Sequence, residues 1–98
     1  MTAAELLRAV REGGTPPHLP PPLLALWLDA CGDWNAAHEA AQSGGDADSA
    51  WAHAYLHRKE GDLANAGYWY RRAGRPMPAQ SLDEEWLAIA AALLAQPG

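Results

Sequence analysis

Three side chains with metal-ligand chemistry lie one turn apart near the middle of the chain. His57 follows His53 by four positions, and Glu60 comes three positions later. On a helix these spacings place all three on one face. Two imidazoles at this spacing can share one divalent transition metal ion, and a carboxylate suits a third position. His38, on a preceding segment, is a candidate fourth ligand. One interpretation is therefore a small metal-binding protein or a metal-dependent enzyme.

The same histidines also have a purely structural interpretation. The HExxH pattern of metalloproteases requires Glu directly after the first His, and this chain has Ala54 there. The pattern therefore supplies no general base beside a metal. Paired histidines on a helix also stack on tryptophan or hydrogen bond to a neighbouring helix. On this interpretation, which we favour from the sequence, the protein is not an enzyme and needs no cofactor.

A second group of side chains can recognise anions. Most of the seven basic residues fall between positions 58 and 75 of a chain whose net charge is −5. Guanidinium groups offer planar forks of donors that match carboxylates and phosphates. The candidate binding residues are Arg58, Asn65, Tyr68, Arg71 and Arg72. We expect an acidic protein or peptide segment to cross Arg58, Tyr68 and Arg72; the alternative is an internal pair between Arg72 and Glu60 or another acid.

Helix caps and breakers divide the chain into about six short helices that must position these residues. Thr2 with Glu5 and Ser81 with Glu84 have capping-box spacing, and glycines follow most of the apolar segments. We predict one helical domain over 1–98, with an N-terminal helix in 1–13, a proline-rich connection over 14–22, two helical hairpins over 23–76 and a C-terminal helix over 81–95.

Two stretches of the sequence align with each other. ALWLDACGDWNAAHEAA begins at Ala25 and AYLHRKEGDLANAGYWY begins at Ala54, and each reads as a helix, a Gly-Asp turn and a second helix. We therefore expect two stacked helical hairpins with the terminal helices as caps. In the helix that carries His53, we expect Trp51 and Tyr55 on the apolar stripe and Ala52 and Lys59 facing away from it.

The second hairpin resembles tetratricopeptide and Sel1-like repeats. The matching residues are Gly61, Asp62, Ala66, Tyr70, Ala73 and Pro76. The first half of the repeat departs from that pattern, with Ala50, His53 and His57 where such repeats usually place a large residue, Leu and Tyr. The resemblance implies a noncatalytic module that binds a protein or peptide.

The run HAYLHRKEGDLANAGYWYRRAG is also similar to the signature of a family of short uncharacterised helical proteins, of the type HRxEGDxxNAxYWYxRAG. This second resemblance implies a fold and draws attention to these residues. It implies no reaction.

The amino-acid composition limits the fold class and the kinds of partner that the protein is expected to bind. Phe is absent, and Val10 and Ile89 are the only aliphatic β-branched residues, so an all-α fold is expected. The acidic balance disfavours nucleic-acid binding by the whole surface. The longest apolar run, 87–95, is too short to span a bilayer, and no signal segment opens the chain, so we expect a cytoplasmic protein.

The single Cys excludes an internal disulfide and a cysteine-based zinc site. We expect Cys31 to be a small buried residue. Each predicted helix from the second to the sixth carries one of the five Trp residues. This even distribution predicts that they fill the core, since a base-stacking platform would cluster them on one surface.

Overall fold

Six α-helices form the part of the protein that the structure describes. The computed structural model describes residues 1–96, and over that range it contains no β-strand. The helices are α1 (Ala3–Arg11), α2 (Pro21–Ala30), α3 (Trp34–Ser43), α4 (Ala47–Glu60), α5 (Leu63–Ala73) and α6 (Leu82–Leu94). The all-α prediction is confirmed.

The predicted caps begin the helices. Thr2 and Ser81 each form a complete capping box with the Glu three positions later. Asp33, Asp46 and Asp62 cap α3, α4 and α5, because each carboxylate accepts a hydrogen bond from the backbone N–H three residues on. These bonds satisfy N–H groups that have no partner within the helix.

Each hairpin has one tight turn between its two helices, and the two turns have the same geometry. Gly32 joins α2 to α3 and Gly61 joins α4 to α5, and both have a φ of +90°. In both turns the N–H of the following Asp donates to a carbonyl in the last turn of the preceding helix, at 3.0 Å. α4 also packs against α2 and α3, so the two hairpins lie side by side.

The terminal helices complete the core from one side. α1 and α6 pack against each other and against α2, and α6 also contacts α4. The Trp86 indole N–H on α6 donates to the carbonyl of Leu26 on α2 at 3.0 Å. The largest fully buried apolar side chains are Leu6, Leu26, Trp27, Leu56, Tyr70 and Ile89.

α4 is the central helix of the fold. It contacts α2, α3, α5 and α6, and every residue from Ser49 to His57 is buried. The prediction that Ala52 faces away from the core is wrong: Ala52 has no exposed surface, because neighbouring helices surround the middle of α4. His53 and His57 are therefore inside the protein.

Two further expectations can be compared with the structure. Cys31 is exposed, contrary to prediction, because it lies at the end of α2 in the turn before Gly32. Trp27, Trp51 and Trp86 are buried, whereas Trp34 and Trp69 are only half-buried.

None of the helices in residues 1–96 has both the length and the apolar composition needed to cross a membrane.

The turn at Gly61 provides a test of the hairpin geometry. Gly61→Val should lower the free energy of unfolding by about 2 kcal/mol, because a β-branched residue resists a positive φ. Urea denaturation measures the change. Gly45→Val is the matched control: Gly45 does not adopt a positive φ and has open space around its Cα. Equal stability of the two variants would contradict the left-handed turn.

Candidate metal centre

Three imidazoles from two helices converge beside the core. His38 extends from α3, and His53 and His57 extend from consecutive turns of α4. One ring nitrogen from each lies within 4.8 Å of the others. The ring centroids are 4.6 Å apart for His38 and His53, 5.2 Å for His38 and His57, and 4.8 Å for His53 and His57. The structure thus brings together the three histidines singled out in the sequence.

Two tryptophans form the walls of this cluster. Trp34 stacks on His38 with ring centroids 5.0 Å apart, and Trp69 stacks on His53 at 3.9 Å. The Trp34 indole N–H donates to the carbonyl of Leu56 at 2.9 Å, which ties α3 to α4. Trp34 precedes His38 by four residues, a spacing that places both rings on one helix face. This spacing is a local signal in the sequence, although the even distribution of tryptophans predicts core packing for Trp34.

Burial keeps the imidazoles of His38 and His53 neutral. His53 is 2% exposed and His57 is 6% exposed, while His38 is half-buried. Burial, reinforced by the neighbouring His38 and His57, lowers the pKa of His53 to about 4. Burial followed by the effect of His57 also lowers the pKa of His38. At neutral pH both rings therefore carry a lone pair that a metal ion can use.

The Glu60 carboxylate contacts the imidazole ring of His57. Its Oε2 atom is 2.6 Å from Nδ1 of His57, so a protonated Nδ1 donates to the carboxylate and leaves Nε2 with a lone pair. The amide nitrogen of Asn65 lies 3.4 Å from that Nε2. Of the four predicted ligands, the structure therefore groups the three histidines and places Glu60 as an orienting partner. His57, Glu60 and Asp62 form a second, more exposed group.

The predicted anion-binding residues do not form one surface. Arg72 donates to the hydroxyl of Tyr68 at 3.3 Å and lies over the Trp69 ring, with Cζ 5.1 Å from the ring centroid. Arg71 is exposed on the same helix. Arg58, however, pairs with Glu85 on α6 at 2.8 Å.

That separation has a physical reason. Glu85 is 1% exposed, and its buried charge needs a cation. Arg58 supplies that cation, also donates to the carbonyl of Gln80, and is directed toward α6. The expected acidic segment crossing Arg58, Tyr68 and Arg72 therefore lacks one of its three contacts. Within residues 1–96, Arg72 forms no ion pair with Glu60 or any other acid.

A buried carboxylate on α2 was not identified from the sequence. Asp29 accepts hydrogen bonds from the hydroxyl of Tyr55 at 3.2 Å and from the ammonium of Lys59 at 2.9 Å. Burial and the nearby Asp29 charge raise the pKa of Tyr55 above its ordinary value. The one signal in the sequence was an acidic residue within the otherwise apolar α2.

Comparisons of the chain with protein-family models, with curated proteins and with solved structures found no match. The resemblances to tetratricopeptide and Sel1-like repeats and to the family of short helical proteins therefore stay predictions.

Acid should destabilise the metal-free protein through His53. The pKa of this side chain is 6.5 in the reference state and about 4 in the fold, so between these values the unfolded chain binds a proton that the native state does not. The part of the folding stability that depends on a neutral His53 is fully present above pH 6.5 and is lost as the pH falls toward 4. At 1.4 kcal/mol per pH unit the loss is about 3 kcal/mol.

Urea denaturation in a chelator, at intervals from pH 7.5 to pH 4, measures this dependence. His53→Gln should flatten the profile because glutamine does not titrate, whereas His18→Gln, an exposed histidine in the proline-rich connection, should leave it unchanged. Parallel profiles for the wild type and His53→Gln would contradict a neutral buried His53.

Proposed function

We propose that this protein binds one divalent transition metal ion through His38, His53 and His57. The observation that carries the proposal is the convergence of three ring nitrogens within 4.8 Å in a largely buried position. Imidazole suits Zn²⁺, Ni²⁺ and Cu²⁺, whereas Mg²⁺ and Ca²⁺ prefer oxygen ligands. The proposal is for metal binding and does not extend to a reaction.

The hydrogen-bonding pattern supports this proposal. Both hydrogen bonds to imidazole nitrogens within residues 1–96 involve His57. The rings of His38 and His53 therefore keep nitrogens free for an ion. Glu60 orients the third ring through Nδ1, the arrangement in which a carboxylate fixes the tautomer and orientation of a metal-binding histidine. A metal ion at Nε2 of His57 would replace the contact of that atom with the Asn65 amide.

The spacing requires a small contraction on binding. Two nitrogen ligands of tetrahedral zinc are about 3.4 Å apart when each Zn–N bond is about 2.0–2.1 Å. The nitrogens here lie up to 4.8 Å apart, so side-chain rotations must draw them together. Three histidines would leave one coordination position of a tetrahedral ion for another ligand.

A second candidate function is the binding of an acidic protein segment. It is supported by the exposed side chains of Tyr68, Arg71 and Arg72 on α5. Without Arg58, this surface is confined to the outer face of α5.

Untagged protein should bind one equivalent of Zn²⁺ or Co²⁺ per chain in isothermal titration calorimetry after removal of metal by a chelator. His38→Ala should weaken binding by at least about tenfold because it removes one ligand. His38 is the position chosen because it is half-buried, whereas His53 and His57 are buried. His18→Ala is the matched control and should bind as the wild type does. Equal affinity of both variants, or no binding by the wild type, would contradict the proposal.

The orienting role of Glu60 has its own test. Glu60→Gln should weaken metal binding by about 10–100-fold, because the amide holds the His57 ring less firmly and no longer increases its basicity. Glu39→Gln, an exposed acid on α3 next to His38, is the control for a general loss of negative charge. The two variants should be compared by competition with a chromophoric chelator. Equal weakening in both would show that Glu60 acts only through its charge.

A further inference from the structure

A cleft of about 260 Å³ opens beside His53. It lies where the end of α3, the loop at Gly44 and Gly45 and the first turn of α4 meet the outer face of α5. Its lining side chains with polar or aromatic character are Gln42, Asp46, His53, Trp69 and Arg72. His53 is the one member of the imidazole cluster that lines this cleft, so a small molecule in it would meet the cluster at that residue.

We propose that this cleft binds a small carboxylate that occupies the remaining coordination position of the metal ion and pairs with Arg72. The inference rests on the proposed metal site and adds the chemical class of its exchangeable ligand. Three neutral imidazoles leave the full double positive charge on the ion, so a monoanion is the ligand that this environment favours.

Arg72 is available for such a ligand. Its guanidinium lies over the ring of Trp69, 5.1 Å from the centroid, and its hydrogen bond within residues 1–96 goes to the Tyr68 hydroxyl at 3.3 Å. Stacking on an aromatic ring positions the guanidinium without using all of its five N–H donors. The remaining donors match the two oxygens of a carboxylate.

The cleft also restricts the ligand. Trp69 offers an apolar wall, and the volume admits a carboxylate of a few carbon atoms but no protein segment of several residues. Asp46 is the acidic residue in the lining, and its charge opposes the binding of anions. Its carboxylate accepts from the N–H of Ser49 at the start of α4, where the helix dipole offsets part of its charge. A monocarboxylate is therefore favoured over a polyanion.

The test uses Co²⁺ as a spectroscopic probe. The untagged chain of residues 1–98 is loaded with one equivalent of Co²⁺, and the visible d–d bands are followed during titration with acetate and with propionate at constant ionic strength. The bands should shift saturably with both acids and not with acetamide, which has a similar shape but no charge. Arg72→Met should weaken carboxylate binding by about tenfold or more. Arg8→Met, an exposed arginine on α1 that lies outside the cleft lining, should bind as the wild type does.

The outcomes separate the two proposals. Absence of d–d bands from a bound ion in the wild type would overturn the metal site and the carboxylate site together. Bands that form but do not respond to acetate would overturn only the carboxylate site. Equal responses of the Arg72→Met and Arg8→Met variants would overturn the role given to Arg72, and with it the proposed pairing.

Discussion

The burial of α4 on all sides is the constraint on which the rest of the structure depends. Helices α2, α3, α5 and α6 all contact it, and nine consecutive residues from Ser49 to His57 have little or no exposed surface. A helix in this position needs apolar or internally satisfied side chains around its whole circumference. Small alanines allow the neighbours to approach closely, and His53 and His57 are the two histidines in this buried run. Their imidazoles lie against aromatic rings and against each other, which keeps the two rings close together.

Three consecutive residues near the end of α4 fix its rotation. His57 is directed toward His38 and Trp34 on α3, Arg58 toward Glu85 on α6, and Lys59 toward Asp29 on α2. Successive side chains on a helix differ by about 100°, so these contacts together define one orientation about the axis. A buried ion pair contributes little net stability, but a buried charge without its partner is costly. Other rotations of α4 are therefore disfavoured, and the positions of the imidazoles follow.

Local signals predicted the helices well and the site only in part. Asp and Ser caps, capping boxes and the two Gly-Asp turns act within a few residues, so sequence spacing indicates them directly. The convergence of His53 with His57 follows from helical periodicity in the same way. The position of His38 beside the other two histidines depends on how α3 packs against α4, and no local sequence pattern predicts that packing.

The errors in prediction have the same origin. Arg58 was predicted to contact an acidic segment together with Tyr68 and Arg72, and the structure pairs it with Glu85 on another helix, distant in sequence. Trp34 and Trp69 were expected in the core. The contact of Trp34 with His38 lies within α3, whereas the contact of Trp69 with His53 forms only when α5 packs against α4. Ala52 and Cys31 were assigned from residue type and helix position alone. Ala52 is buried because neighbouring helices cover α4, and Cys31 is exposed because it lies where α2 ends.

X-ray absorption spectroscopy of the one-to-one zinc complex tests the central claim most directly, because scattering from imidazole rings reveals how many histidines bind the ion. The account predicts three imidazole nitrogens at about 2.0–2.1 Å and one additional oxygen ligand. A spectrum with a single imidazole and several oxygen ligands would place the ion at His57, Glu60 and Asp62 instead. That result would contradict a buried three-histidine centre.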